Sequence, residues 1–231
     1  MSAKPIVMLD PGHGGKDPGA VGPTGLKEKD VVLSVCQLTK AILVNAGVEV
    51  FMTRTGDTYP ELAVRARNAN EVGADLFLSV HCNSAKSPAR GFEVFTTPGQ
   101  TRADPLATSL FLAFGIEFPA AVKRLDPSDG DPDKESSFAV LRLTNMPAAL
   151  FELEFIHDVS GEAFLRDARN QARCAKALAA GILDHLGIAP VRTITPLGAE
   201  DEITAIRRLL AQQAALHSQL VDAINRMEGA A

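Results

Sequence analysis

The stretch IVMLDPGHGG, residues 6–15, sets the expected architecture of the chain. Its first four residues are apolar and predict a buried strand, and the glycine-rich sequence after Asp10 predicts a loop. Apolar residues then recur at helical spacing over residues 28–46, and Gly47 suits the end of a helix. A strand, a loop and a helix in this order form the first unit of an α/β fold.

The same alternation continues along the chain. It predicts further strands at 48–53, 76–81, 91–96 and 148–156, helices at 61–72, 101–118 and 162–186, and a charged surface loop at 119–136. Strands that alternate with helices favour parallel pairing with helices covering the sheet. We therefore expect a mixed, mostly parallel sheet that is flanked by helices on both faces.

The C-terminal sequence predicts two further segments. We expect a catalytic domain over residues 1–188, a proline-bracketed linker over 189–198, and a helix over 199–231. Mostly apolar residues recur every seven positions in two series, Ile203, Leu210, His217 and Ile224, and Ile206, Gln213, Leu220 and Met227. This spacing is typical of a two-stranded coiled coil and predicts a homodimer, the alternative being a helix that packs on its own domain.

Composition excludes several classes of protein. The 231 residues carry a formal net charge of −5, which argues against a generally basic nucleic-acid binder. No apolar run reaches the roughly 18 residues of a membrane span, so we expect no membrane insertion. The three cysteines are widely spaced and predict buried thiols rather than a thiolate zinc cluster. The N-terminus lacks the apolar stretch of a signal peptide, and we expect the chain to stay in the cytoplasm of the producing cell.

Two histidines occupy positions suited to chemistry. His13 and His81 each lie where a predicted apolar strand meets a polar loop. Ligands of open α/β sheets bind at the carboxyl ends of strands, and neutral imidazole is a favoured zinc ligand. Glu28 is the candidate third ligand, although an acid in a first helical turn is also stabilised by the helix dipole. Three protein ligands would leave a fourth position open, as in a catalytic zinc site.

Two acids interrupt the apolar strand predicted at 148–156. Alternation places Glu152 and Glu154 on one face of this strand. Buried carboxylates are costly unless they are paired or bound to metal. The strand therefore favours a functional site, with a structural ion pair as the alternative.

Several segments, in order, resemble the zinc-dependent N-acetylmuramoyl-L-alanine amidases of the amidase_3 type. They are DPGHGG (10–15), DPGA (17–20), GLKEKD (25–30), TR (53–54), LAVRARNAN (62–70), LSVHCNS (78–84), GFEVF (91–95), VLR (140–142) and PAALFE (147–152). The resemblance covers about residues 4–188. It implies hydrolysis of the amide that joins N-acetylmuramic acid to L-alanine of peptidoglycan, on a mostly parallel sheet between helices.

The resemblance also implies roles for individual residues. His13, Glu28 and His81 match the zinc ligands, and Glu152 matches the catalytic glutamate. Glu154 departs from the family pattern, in which a small or neutral residue is usual. It is expected either to raise the pKa of Glu152 by repulsion or to pair with an arginine such as Arg142.

Further residues complete the expected site. Arg142 suits a substrate carboxylate because its guanidinium binds such groups in a bidentate manner, with a salt bridge to Glu154 or to loop acids as the alternative. Asn83 joins Arg142 and Glu154 as a substrate-binding candidate. Asp10 is expected to cap loop amides or to orient a ligand histidine.

The expected function is therefore a peptidoglycan amidase. The lack of a recognisable signal peptide favours a phage lysin that waits in the cytoplasm and reaches the cell wall after holin-type release. A host autolysin or wall-remodelling amidase is one alternative. A non-catalytic peptidoglycan-binding protein on the same fold is another, although such a module has no need of the full set of four site residues.

Overall fold

A computed structural model describes residues 4–189 of the chain, and six strands and six helices lie within them. In chain order they are β1 (Ile6–Pro11), α1 (Glu28–Asn45), β2 (Glu49–Met52), α2 (Leu62–Glu71), β3 (Leu76–Asn83), β4 (Glu93–Thr96), α3 (Asp104–Glu117), β5 (Lys134–Glu135), α4 (Ala139–Arg142), β6 (Ala148–Phe155), α5 (Val159–Arg166) and α6 (Ala168–His185). The predicted linker and C-terminal helix lie outside the described residues.

The six strands form one sheet in the order β2-β1-β3-β6-β4-β5. All neighbouring strands are parallel except β4 and β6, which are antiparallel. The predicted mixed, mostly parallel sheet is confirmed. The three central strands β1, β3 and β6 run in the same direction, so their carboxyl ends lie side by side at one edge, where a site can form.

Helices cover both faces of this sheet, as predicted. Phe151 of β6 packs against Phe92 and against Phe114 of α3, on the face where α6 contacts both α1 and α3. The preceding residue, Leu150, belongs to a core cluster with residues of α2 and α4. Neighbouring residues of one strand thus pack into the hydrophobic layers on opposite faces of the sheet, as strand alternation requires.

The helix predicted at 162–186 is in fact two helices. Asp158 begins α5 by accepting hydrogen bonds from the backbone of Ser160 and Gly161. Asp167 is extended and caps α6 by accepting from the amide of Arg169. A side-chain cap competes with continued helical hydrogen bonding, which explains the break.

The segment predicted as a loop at 119–136 contains the two-residue strand β5. Its residues Lys134 and Glu135 pair in parallel with Phe95 and Thr96 of β4. Two charged residues carry no apolar pattern, so periodicity could not reveal this strand. Its pairing anchors the end of the segment to the sheet edge. No helix within residues 4–189 is long and apolar enough to cross a membrane.

Candidate active site

Two parallel strands and one helix bring the predicted metal ligands together. His81 lies near the end of β3, and His13 lies two residues beyond the end of β1. Glu28 is the first residue of α1, which begins after the intervening loop. Because β1 and β3 are neighbours, residues far apart in sequence meet at one edge of the sheet.

The ligand atoms of these three residues converge on a small volume. Glu28 Oε1 lies 3.1 Å from His13 Nε2 and 2.9 Å from His81 Nδ1. The two imidazole rings meet edge to face, with centroids 4.9 Å apart. One ligand atom from each residue lies within 4.8 Å of the other two. Two imidazoles and one carboxylate are a donor set that suits zinc.

Glu28 is held as an ionised carboxylate. It is buried, and the amides of Ala20 and Cys82 donate to its two oxygens at 2.8 and 2.9 Å. Burial opposes ionisation, but hydrogen bonds from His13 and His81 and their charge outweigh it and hold the pKa of Glu28 well below its usual value. Glu28 therefore presents a fixed negative charge to a cation that would bind between the two histidines.

Asp17 is a member of the site that the sequence analysis did not assign. Its Oδ2 lies 2.8 Å from His13 Nδ1, on the opposite side of the ring from Glu28. Burial lowers the pKa of His13, but Glu28 and Asp17 outweigh burial and raise it to about 9. A carboxylate on the far nitrogen of a ligand histidine fixes both the ring orientation and the tautomer. Asp17 begins the DPGA segment (17–20), and the resemblance of this segment to the amidase family could have pointed to Asp17 as a site residue.

The loop that carries His13 needs unusual backbone geometry. His13 has a φ of 59°, and it is the one non-glycine residue with positive φ among residues 4–189. Such a conformation is strained and clusters at functional sites. The loop backbone also passes close to the ligand side chains. A Cβ on Gly12 would lie 2.3 Å from His81 Cε1, and a Cβ on Gly19 would lie 2.6 Å from Glu28 Oε2. The glycines are therefore needed to let the ligands meet.

Glu152 lies next to the converging ligands. It pairs in register with His81 on β3 and with Glu93 on β4. Its Oε2 is buried and has no hydrogen-bond partner among the described residues. Burial raises the pKa of Glu152 to about 8; His81 opposes this shift, and the charges of Glu28 and Glu93 add to it. A carboxyl group with this pKa can both take up and release a proton near neutral pH.

Glu93 is a second residue that sequence reasoning missed. It is buried on β4, and its Oε1 accepts a short hydrogen bond from Asn83 Nδ2. Its Oε2 accepts from Arg124 at 3.0 Å and from Lys134 at 2.5 Å. Asn83, predicted to bind substrate, is thus held beside the site by Glu93. Only the antiparallel pairing of β4 with β6 brings Glu93 opposite Glu152.

Glu154 is placed differently from the expectation. Between the pairs His81–Glu152 and Asn83–Phe155 the register shifts, so β6 carries one extra residue and simple alternation fails. Glu154 Oε2 accepts from Arg90 at 3.1 Å, and Oε1 accepts from the Gly91 amide at 2.6 Å. Glu154 thus pairs with an arginine, as one of the two expectations had it, but the arginine is Arg90 and not Arg142. The repulsion that raises the pKa of Glu152 comes from Glu28 and Glu93.

Arg142 and Asp10 also have definite places. Arg142 is exposed at the end of α4 and forms no ion pair within residues 4–189, so its carboxylate-binding role stays a prediction. Asp10 is fully buried and contacts neither ligand histidine. It accepts from Arg65 Nη1 at 2.8 Å, and Arg65 Nη2 in turn donates to the backbone oxygen of His13 at 2.7 Å. Asp10 also accepts from the hydroxyls of Thr53 and Ser79, so it supports the loop backbone through Arg65 and, contrary to both expectations, neither caps loop amides nor orients an imidazole ring.

Two histidines at strand ends and a glutamate at the start of α1, with the unpaired Glu152 beside them, define the centre of a metallo-amidase type of protein. The family model described as N-acetylmuramoyl-L-alanine amidase (Amidase_3) matches residues 7–184, and the chain belongs to this family.

Individual relatives agree with this assignment. The chain is 32% identical over 226 residues to N-acetylmuramoyl-L-alanine amidase AmiC of Neisseria meningitidis serogroup B, a match that covers 82% of this chain and 54% of AmiC. It is 35% identical over 184 residues to the endolysin of Bacillus phage SPP1, covering 79% of this chain and 66% of the endolysin. The chain thus spans about half the length of AmiC and about two thirds of the endolysin.

A solved structure shows the same fold. Amidase AmiC2 of Nostoc punctiforme superimposes with a TM-score of 0.74 at 33% sequence identity. The superposition covers 81% of this chain and 99% of that structure. The match therefore takes in nearly all of that solved chain.

Proposed function

We propose that this protein is a zinc-dependent N-acetylmuramoyl-L-alanine amidase. It would hydrolyse the amide that joins the lactyl group of N-acetylmuramic acid to L-alanine of the peptidoglycan stem peptide. The observation that carries the proposal is the convergence of His13 Nε2, His81 Nδ1 and Glu28 Oε1 next to the unpaired Oε2 of Glu152. Family membership supplies the substrate class.

His13, Glu28 and His81 would hold the zinc ion. The donor set fits, because both imidazoles aim a nitrogen at the same carboxylate oxygen, so the three ligand atoms face a common point. When bound, zinc supplies a Lewis acid that acidifies a water molecule and polarises an amide carbonyl. Asp17 would keep Nδ1 of His13 protonated, which leaves Nε2 free to bind metal.

Glu152 would carry the proton transfers. Its carboxylate takes a proton from the attacking water and delivers it to the amide nitrogen, which is a poor leaving group until it is protonated. Burial, Glu28 and Glu93 keep the proton affinity of Glu152 high enough for the second transfer. Because Oε2 makes no hydrogen bond within the described residues, it needs no rearrangement before it accepts a proton.

Product analysis tests the proposal. Digested peptidoglycan should yield intact stem peptides with a free L-alanine amine and unbroken glycan chains. The Glu152→Gln variant should lose about 100-fold or more of this activity, a typical loss for a general acid–base group, while the exposed Glu49→Gln control keeps it. Full activity in Glu152→Gln, or purified protein without stoichiometric zinc, would contradict the proposal. Binding to cell walls without product release would favour the non-catalytic alternative.

We propose a lytic role for this activity, supported by the similarity to the SPP1 endolysin. The similarity to AmiC, an amidase of a bacterium, keeps a host autolysin or wall-remodelling amidase as the alternative. Expression in a bacterial host with and without a holin separates the two roles. Lysis that depends on the holin supports a lysin stored in the cytoplasm, and changes in wall structure without a holin support the host role.

The heptad spacing of residues 199–231 supports a proposed homodimer. Truncation after Gly187 should then give a monomer that still hydrolyses soluble muropeptides. Sedimentation of the full and truncated chains tests this prediction, and an unchanged oligomer would contradict it.

A further inference from the structure

A second cluster of acidic side chains lies apart from the metal-ligand centre. Asp104 is the first residue of α3, and Asp131 and Asp133 lie just before β5. One carboxylate oxygen from each lies within 4.8 Å of the other two. Asp104 and Asp133 are buried, with exposed fractions of 8% and 4%. Such proximity of carboxylates is unfavourable unless something neutralises them.

Most oxygens of this cluster have neutral partners. Asp104 accepts from the amide and the hydroxyl of Thr101, both at 2.7 Å. Asp131 accepts from the amide of Asp133 at 3.3 Å and from Gln100 Nε2 at 3.4 Å. These contacts position the carboxylates without neutralising them, because each donor is an uncharged amide or hydroxyl.

Asp133 supplies an independent observation that points to an ion. Its Oδ2 accepts from Thr96 Oγ1 at 2.5 Å, whereas its Oδ1 is buried and has no partner within residues 4–189. A buried polar atom without a partner is costly and calls for an explanation such as an ion. Burial and the neighbouring carboxylates of Asp131 and Asp104 raise the pKa of Asp133 to about 7, so a cation bound here would replace a proton.

No basic side chain in the described part of the chain neutralises the cluster. Lys134 follows Asp133 directly, but its ammonium binds Glu93 on the side of the active site. No lysine or arginine within residues 4–189 forms an ion pair with Asp104, Asp131 or Asp133. A cation from solution is therefore the available counter-charge.

The chemistry of the donors selects the cation. All three side chains offer only oxygen, which suits hard cations such as Ca²⁺ and Mg²⁺ and not zinc. The sequence DGDPD (129–133) places aspartates at alternate positions, as calcium-binding loops do, although Lys134 stands where an EF-hand has glycine. Three carboxylates in one site, two of them on an irregular segment, favour the adaptable coordination of Ca²⁺ over the strict octahedron of Mg²⁺.

We propose that Asp104, Asp131 and Asp133 bind one calcium ion. The ion would join the start of α3 to the segment that leads into β5. This segment ends at Lys134, whose Nζ binds Glu93 Oε2, and Glu93 lies opposite Glu152 in the sheet. Calcium would therefore stabilise the sheet edge beside the catalytic centre, without contact with the substrate.

Calorimetric titration of the zinc-loaded full chain with CaCl₂ tests the site, since bound zinc keeps calcium away from the histidines. We expect one calcium ion per chain, with a Kd of about 10⁻⁴ to 10⁻³ M, as in extracellular calcium modules. Asp133→Asn should weaken binding about tenfold or more. Asp126→Asn is the matched control, because Asp126 is an exposed aspartate of the same segment that caps Ser128, and it should bind as the unchanged protein does.

Thermal unfolding gives a second measurement that does not depend on binding heat. At about 10 mM calcium, tenfold above the weakest expected Kd, the Tm of the unchanged protein should rise by about 3 °C, and that of Asp133→Asn should not. A folded Asp133→Asn that binds calcium normally would overturn the proposal. An unchanged Tm of the parent protein on addition of calcium would also overturn the proposal. It would mean that Asp133 and Asp131 share a proton instead of binding an ion. An equal shift with magnesium would overturn the assignment to calcium. Asp131→Asn repeats the test if Asp133→Asn fails to fold.

Discussion

His13 and Asp17 are joined by a contact of 2.8 Å between Nδ1 and Oδ2, four residues apart in the loop after β1. The contact holds the imidazole so that its other nitrogen faces Glu28. Asp17 thus acts on the proposed metal through His13 and is a positioning residue. Between the two residues the loop turns through positive φ at His13, Gly14 and Gly15, which an extended loop would not do.

Asp17→Asn should weaken zinc binding about 10- to 100-fold, because a carboxylate behind a ligand histidine both orients it and strengthens its basicity. Competition with a chromogenic chelator measures the affinity. Asp30→Asn is the control, since Asp30 is an exposed acid in the first turn of α1. Equal affinity in Asp17→Asn and the parent protein would show that the contact has no role in metal binding.

The sequence predicted the sheet, its flanking helices and the meeting of His13, His81 and Glu28, because strong periodicity and strand-end positions determine these features. Asp17 and Glu93 were missed for different reasons. Asp17 reaches His13 only through a positive φ in the loop, and Glu93 meets Glu152 only through the pairing of β4 with β6. The contacts of Glu154 depend on a register shift between β3 and β6, and the residue pattern of β6 does not predict such a shift.

Zinc affinity should fall as the pH falls below about 9. The pKa of His13 is raised to about 9 and that of His81 is raised as well, so the metal must displace protons below these values. Glu28 is already ionised and contributes no proton. We expect the apparent affinity to drop about tenfold per pH unit for each displaced proton, measured by chelator competition between about pH 9 and 6. An affinity independent of pH would contradict the proposed ligands.

The same shifts give a stability prediction for the metal-free chain. The folded pKa of His13 lies above its unfolded value of 6.5, so its contribution is fully present below pH 6.5 and is lost as the pH rises through about 9. Zinc replaces these protons and should remove this loss. The difference in Tm between zinc-loaded and chelator-treated protein should therefore grow from pH 6.5 to 9, and a constant difference would contradict the prediction.

Gly12→Ala should disrupt the metal site for steric reasons alone. The added Cβ would lie 2.3 Å from His81 Cε1, so the imidazole must leave its position next to Glu28. We expect sub-stoichiometric zinc in the purified variant, measured by elemental analysis. Gly56→Ala is the matched control, because its Cβ would meet nothing within 4 Å. A full zinc complement in Gly12→Ala would show that His81 is not a required ligand.

Glu93→Gln should change the pH dependence of catalysis. The Glu93 carboxylate is one of the charges that raise the pKa of Glu152, and it also neutralises Arg124 and Lys134. Removing its charge leaves both cations unpaired near Glu152, so the two effects act in the same direction and lower the pKa of Glu152. As the catalytic base, Glu152 would then ionise at lower pH, and the acidic limb of the kcat/KM profile should move down by several tenths of a pH unit to about one unit. Glu49→Gln, on the far edge strand β2, should leave the limb in place. A shift to higher pH, or a uniform loss of activity without a shift, would mean that Glu93 acts only by holding Asn83 and β5 in position.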